Sequence, residues 1–491
     1  MSSTSNGGPV DQRARIAIDL GAESCRVSLL RWDDGLPQIT EVHRIPNGPV
    51  QSGGSLRWPF AKILASIEEG LRKAAEVAGE RIASIAVDGW AVDYVRLDED
   101  EKPLYEPFCY RDERTIASKE RADLIFPPQE AFGRTGAQPL RINTAYQLLA
   151  DAPEVRNARW ICLPEYILHC LGAPRIAEYT NATHTGLVDP TTGAWAWNVL
   201  DLLGIPIDAA PRIVAPGSRV GSLSGELSDL PPFRGTKLIA TACHDTASAI
   251  GGIPADLDST AYICSGTWSL VGTVVPKAIT TPEALAARYT NQGAATGGFC
   301  FHTNVNGMWL LKQCLDAWKA AGRDISIPEL VEQAGRCKPA GIIDVDAEPL
   351  MLSGGMPERI NAELLRAGHS AIADEPGNEQ QFARLIFESL AMRYASALED
   401  LQRILGRKLH AIHVIGGASR NQLLADLTSA RSGLPVTCGH PESSTIGNFA
   451  MQLASDEGDD GPISRECVRR WAGRLVDAAP QPCRSSFDKA G

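Results

Sequence analysis

Four short stretches of this 491-residue chain pair polar side chains with glycine in a way suited to phosphate chemistry. In Asp19-Leu20-Gly21-Ala22-Glu23-Ser24 an acid closes an apolar run just before a turn. A carboxylate there stands at a sheet edge, where it can meet a hydrated Mg2+, an ion that keeps several waters and takes only one or two carboxylates. Gly21 lets the turn approach a phosphate closely. Ser265-Gly266-Thr267-Trp268-Ser269 is its counterpart in the second half, and Thr267 can donate through both its N–H and its hydroxyl. In Cys243-His244-Asp245-Thr246-Ala247-Ser248-Ala249 an acid stands between the apolar Lys237 to Ala242 stretch and a helix-like run. Such an Asp either caps the helix or, facing a cleft, takes the proton of an alcohol attacking the γ-phosphorus of ATP. Val414 to Asn421 ends a strand in Gly416-Gly417-Ala418, where a flat base or ribose can pack on the backbone. Taken singly, each stretch also reads as an ordinary polar turn.

The elements that must position these residues alternate between strand and helix, which argues an α/β fold. Arg15 to Trp32 reads as two strands joined by a short turn, and Ile82 to Leu97 is β-rich on both sides of Gly89. Phe60, Ile63, Leu64, Ile67, Leu71 and Ala74 recur at helical spacing between Phe60 and Ala78. A second long helical pattern runs from Phe382 to Leu405, where Gly406 stops it. A strand from Leu409 to Ile415 and a helix from Asn421 follow. Placing Gly21 over Gly266 sets IDLGAESCRVSLL above YICSGTWSLVGTV, each an apolar strand, a Gly turn and another apolar strand. Two such hairpins half a chain apart suggest a duplicated domain. The expected division is a leader over residues 1–12, domains over 13–240 and 241–480, and a tail over 481–491.

Composition narrows the classes. A net charge of −12 makes nucleic acid and anionic membranes poor partners. No run approaches the roughly 20 apolar residues of a membrane span, and the small, polar start lacks the apolar centre of a signal peptide. The cytoplasm is the expected location. The twelve cysteines are scattered, without the close pairs that share a metal ion, so reduced thiols are expected. There is no GK dipeptide and no GxGxxG, HExxH, HRD, DFG or GxSxG. These absences remove P-loop, zincin, protein-kinase and α/β-hydrolase readings and disfavour a simple dinucleotide-binding fingerprint. Paired hairpin turns remain a way to hold an anion through converging backbone N–H groups.

The ordered series IDLGAESCR, VDGWAVDYVRLD, YRDERT, RINTAYQLL, EYTNATHTGLVD, HDTASA, YICSGTWSLVG, VNGMWLLKQ and VIGGASRN resembles the FGGY family of carbohydrate kinases from about Arg15 to Leu453. The resemblance implies two RNase H-like domains of the actin and hexokinase type, with ATP and sugar meeting in the cleft. It implies phosphoryl transfer from MgATP to the primary hydroxyl of a ketose, L-rhamnulose. By position, Asp245 matches the proton acceptor, with His244, Thr246 and Asn304 at the sugar. The run Gly21, Ala22, Glu23, Ser24, Cys25 and Arg26 matches ATP contacts, as do Gly266, Thr267, Lys312, Gly416, Gly417 and Ala418. Asp19 matches the metal-associated acid. Sugar binding is expected mainly on the first domain, near Trp90, Ala91, Asp93 and Asn304. Most of Trp90, Trp195, Trp197, Trp268 and Trp309 are expected in core or hairpin packing, because large aromatics bury well, with Trp90 the best exception.

Departures from the family pattern fall at the pocket. Glu23 adds a carboxylate near polyphosphate, Ala91 stands where the family uses Gly, and Ala418 replaces the third glycine of its turn. Lys312 replaces a Gln, and its charge is expected to offset Glu23. The acceptor is therefore open to L-fuculose, a ketopentose or a polyol. Two other classes compete: a sugar or nucleotide sensor without turnover, and an actin-like ATPase. Retention of Asp19, Asp245 and Thr267 argues against the first, and the HDTASA and NTAYQLL segments against the second.

Overall fold

The computed structural model describes residues 11–458 and 462–478, so the leader up to residue 10 and the tail over 481–491 lie outside the described residues. Two six-stranded sheets carry the fold. In the first, β1 (Ala14–Leu20), β2 (Ser24–Asp33) and β3 (Leu36–Pro46) form an antiparallel meander. Next come α1 (Phe60–Ala78), β4 (Ile82–Gly89), β5 (Ser218–Ser222) and β6 (Lys237–Ala240), giving the order β5-β6-β4-β1-β2-β3. Strands β1, β4 and β6 are parallel, so their carboxyl ends share one edge. The α1 helix follows its apolar spacing: Phe60, Ile63, Ile67, Leu71 and Ala74 are buried, and Gly79 ends it with left-handed backbone.

Helix α2 (Asp245–Gly251) leads to the second sheet, made from β7 (Thr260–Ser265), β8 (Trp268–Val275), β9 (Tyr289–Gly293), β10 (Phe299–Asn306), β11 (Ala411–Ile415) and β12 (Val436–Cys438). Its order is β9-β10-β8-β7-β11-β12, with β7, β11 and β12 parallel. The meander β10-β8-β7 followed by β11 and β12 repeats β3-β2-β1 followed by β4 and β6. The two aligned hairpins are therefore equivalent positions in two copies of one topology. Among the helices packed on this sheet are α3 (Trp309–Ala320), α4 (Glu379–Leu405) and α5 (Gln422–Ser432). Gly406 takes left-handed backbone at the end of α4, and the Asn421 side chain caps α5 by accepting from Leu424 N.

One helix interlocks the halves. In α6 (Ser443–Glu457) nearly every residue from Ser443 to Ser455 is buried. Gln452 donates to Ile16 O and accepts from Ser84 Oγ, so α6 is hydrogen-bonded to the first sheet. The helix Arg465–Ala478 reinforces this contact by setting Trp471 edge-on to Trp32. Cys25, Cys109, Cys162, Cys243, Cys300 and Cys314 are buried free thiols, while Cys170 is exposed. No helix of the described residues is long and apolar enough to cross a membrane.

Candidate active site

The parallel strands of the first sheet each deliver an acid to their shared carboxyl edge, where open α/β sheets bind ligands. Asp19 lies beside Asp88 across the β1–β4 pairing. Asp245 follows β6, and Gly89 N donates to Cys243 O, which draws its segment against the end of β4. Asp19 Oδ2 accepts from Arg26 and from Ser444 Oγ, the latter at 2.7 Å. Arg26 also pairs with Glu442, so the first hairpin is tied to the start of α6. Asp88 accepts from Asn448 at 2.6 Å, while its Oδ1 is buried without a partner among the described residues. Burial and the Asp19 charge hold the Asp88 carboxyl well above the usual carboxylate range.

Asp245 opens α2 rather than capping it; His244 occupies the cap position without a side-chain capping bond. Its two oxygens differ. Oδ1 accepts from Thr246 N at 2.5 Å and from Thr246 Oγ1 at 3.2 Å, and His244 Nε2 lies 3.3 Å away. None of these contacts is to Oδ2, and the side chain keeps 35% of its surface open. Burial and the Asp19 charge push its pKa up to about 7, against the pull of the Thr246 bonds and Arg26. A carboxylate with one anchored oxygen and an affinity for protons near neutrality has the properties of a general base.

The hairpin turns meet in front of these acids. Thr267 Oγ1 donates to Glu23 Oε1 at 3.2 Å across the gap between the sheets. A Cβ on Gly21 would lie 2.5 Å from Ser24 O, so the first turn requires glycine. Gly416 has φ of 81°, and a Cβ there would press on Ser265 O at 2.8 Å, so only glycine brings the β11 turn against the second hairpin. Gly417 opens onto free space and Ala418 turns inward. Met308 N and Trp309 N donate to Gly266 O and Thr267 O, fastening the second turn to the start of α3. Within the first turn, Ala22 and Ser24 are half-buried and Glu23 is exposed, whereas Cys25 faces the core.

Several expectations need correction. Asn304 is half-buried on β10, opposite Leu270 of the second hairpin, and so belongs to the second sheet rather than the first domain. Lys312 pairs with Asp316 one helical turn on at 3.1 Å, and Thr267 is what meets Glu23. Lys312 and Asp316 share a helix face, as side chains four apart do. Trp197 and Trp268 are exposed rather than packed. Asp93 is fully buried and accepts from Trp58 Nε1, Trp90 Nε1, Tyr110 N and Gln147 Nε2. These four donors make it a clamp for the Trp58–Trp90 pair, whose rings lie 4.3 Å apart.

Between Trp90 and Asp93, Ala91 is buried and Val92 holds φ of 72°, a conformation that strains a β-branched residue. Thr144 Oγ1 and Gln147 Nε2 both donate to Val92 O and hold the turn in that form. Of the residues not foreseen, Asp88 had a local signal, since it closes the apolar β4 and precedes Gly89 much as Asp19 closes β1 before Gly21. Trp58, Glu442 and Ser444 had none.

Repeated sheets, interlocked across a junction lined by acids and paired hairpin turns, define the two-domain actin- and hexokinase-like class. The solved structures that resemble the chain include ligand-bound xylulose kinase from Lactobacillus acidophilus, with a TM-score of 0.75 at 18% identity, covering 94% of this chain and 92% of that one. Glycerol kinase from Plasmodium falciparum with ADP matches at a TM-score of 0.74 and 15% identity over 94% and 92%. Residues 14–252 match the N-terminal domain of the FGGY family of carbohydrate kinases, and residues 261–455 its C-terminal domain. Similar proteins include rhamnulokinase of Bacteroides thetaiotaomicron, 33% identical over 92% of this chain and 93% of the relative. Rhamnulokinase of Enterococcus faecalis is 34% identical over 94% and 93%. The chain belongs to the FGGY family of carbohydrate kinases and is a kinase.

Proposed function

We propose that this kinase transfers the γ-phosphoryl group of ATP to the primary hydroxyl of L-rhamnulose, giving L-rhamnulose 1-phosphate, with Asp245 as general base. The observation that carries the reading is the Asp245 carboxylate, anchored through Oδ1 and available through Oδ2 at the carboxyl edge of the first sheet. As the hydroxyl oxygen attacks the γ-phosphorus, its proton passes to Oδ2 and the bond to ADP breaks. The turns at Gly21 and Gly266 hold the phosphates through backbone N–H groups, and Gly416-Gly417 receives the adenosine. Closure excludes water, which would otherwise compete as nucleophile. The sugar choice is supported by the rhamnulokinase relatives at 33–34% identity.

Mg2+ fits as an ion arriving with the nucleotide. Among the described residues no group of three or more His, Cys, Asp or Glu is arranged to hold a metal by itself. Asp19 has one oxygen occupied by Arg26 and Ser444, and offers the single carboxylate that a phosphate-bound Mg2+ needs. The bound ion supplies charge neutralisation on the transferring phosphoryl group. Coupled ADP detection with L-rhamnulose, L-fuculose, ketopentoses and polyols tests the assignment. L-Rhamnulose is expected to give the highest kcat/KM, and clear preference for another acceptor refutes the sugar assignment.

A further inference from the structure

A line of side chains behind Asp245 has no part in the transfer just described. His244 Nε2 lies 3.3 Å from Asp245 Oδ1, and His244 Nδ1 lies 3.1 Å from His184 Nε2. His184 Nδ1 in turn meets the amide Nε2 of Gln292 at 3.0 Å. The imidazoles are buried with ring centroids 3.8 Å apart. They come from distant parts of the chain: His184 from the 3-10 turn Thr183–Thr185, His244 from the segment after β6, and Gln292 from edge strand β9. Gly293 N donates to Thr183 Oγ1 at 2.8 Å and keeps β9 against the His184 turn.

The direction of this line follows from hydrogen inventory. Burial pushes the His244 pKa down to about 3, and holds His184 well below its ordinary value, so both rings are neutral near pH 7. A neutral imidazole has one donor nitrogen and one acceptor nitrogen. An amide NH2 only donates, so His184 Nδ1 accepts and carries its hydrogen on Nε2. That hydrogen points at His244 Nδ1, which leaves the His244 hydrogen on Nε2, the nitrogen 3.3 Å from Asp245 Oδ1. Turning the Gln292 amide over would reverse each step and set an imidazole lone pair against a carboxylate. Asp245 already feels the charge of Asp19, with Arg26 opposing it, and the Asp88 carboxyl and Cys264 thiol lie close enough to feel Asp245 in turn. A donor on its inner oxygen therefore matters more than it would in water.

We propose that Gln292 and His184 are positioning residues that set the tautomer of His244, keeping an N–H on the inner oxygen of Asp245 and its outer oxygen aimed at the substrate hydroxyl. The proposal rests on Asp245 being the base. It makes the second sheet, through β9, a contributor to the aim of an acid carried by the first.

Nitrogen NMR of the full chain labelled in histidine reads the tautomers directly. Both His184 and His244 are expected to carry hydrogen on Nε2, and hydrogen on Nδ1 of His244 overturns the proposal. Gln292→Glu replaces the donor with an acceptor and should move the hydrogen of both rings to Nδ1. Its kcat is expected to fall roughly tenfold, the scale of one hydrogen bond to a charged group, with KM for ATP unchanged. In a His184→Leu background the same replacement should cause no further loss. A folded Gln292→Glu protein with unchanged kcat, or an equal loss in both backgrounds, rejects the relay. The wild-type spectrum decides the tautomer even where a variant fails to fold. Normal turnover in Asp245→Asn would instead reject the base assignment and leave the tautomer result standing.

Discussion

Asp245→Asn is isosteric, and an Asn side-chain oxygen can keep the contacts that Oδ1 makes with Thr246. Only the proton acceptor is lost. We expect kcat to fall by roughly 10²–10⁴, an increase of about 3–5 kcal/mol in barrier. Stability should move the other way. Raising the pKa from 3.8 to about 7 corresponds to roughly 4 kcal/mol held against the ionised native state. With 35% of the side chain exposed, solvent screening reduces this to about 1–2 kcal/mol. Because the native pKa is the higher one, wild-type stability is lost as pH rises from 3.8 to about 7, and the carboxyl is protonated in both states well below 3.8. The gain in Asp245→Asn should thus be full above neutrality and vanish in acid. In the wild type, kcat should climb toward a plateau above about pH 7 as Asp245 loses its proton. Coupled ADP release and denaturation midpoints, each followed against pH, check both halves. Near-normal turnover refutes the base assignment, and a lower midpoint in mild alkali refutes the buried-charge reasoning.

Glu23→Ser removes the carboxylate that accepts from Thr267, and the KM for ATP should fall by roughly twofold to tenfold, less so at high salt; an unchanged or higher KM rejects Glu23 as a competitor of phosphate. Glu165 is fully buried, with its pKa pushed up to about 7 by burial. It accepts from Glu178 N and Asn181 Nδ2, while Asn181 Oδ1 is buried without a partner among the described residues. In Glu165→Gln the Asn181 amide can turn over and accept from the new NH2, so no bond is lost. Wild-type stability should decline as pH rises from about 4.5 toward about 7, and the variant should be about 3 kcal/mol flatter over that span by denaturant titration. Asp93→Asn leaves one of four buried donors without an acceptor, which should cost about 1–3 kcal/mol and raise the sugar KM more than the ATP KM.

Much of the framework is encoded within a few residues of itself. The helical repeat from Phe60 to Ala78, the hairpin turns at Gly21 and Gly266, and the stop at Gly406 depend on spacing and backbone freedom, which neighbours in sequence supply. Asp245 stood out for the same reason, as an acid at a strand-to-helix junction. The sheet that carries Asn304 and the partner of Lys312 were not legible from their motifs, because a position in a motif does not fix which sheet or partner a side chain meets. The pairing of Lys312 with Asp316, four residues on, is local and was open to the helical rule.

Beyond the local bonds from Thr246 to Asp245 and from Arg26 to Asp19, the surroundings of the acids come from farther off. Arg26 reaches Glu442, Asp88 takes its bond from Asn448, and His184 stands between His244 and Gln292. These contacts join residues between 60 and 416 positions apart. No periodicity marks them, because electrostatic strength and proton affinity depend on distance and exclusion of water in three dimensions. The sequence alone determined two duplicated hairpin domains and an acid at the junction. The neighbouring Thr246 holds one oxygen of that acid, while tertiary burial and the nearby Asp19 charge decided how firmly it binds a proton, since both exist only once the chain has folded.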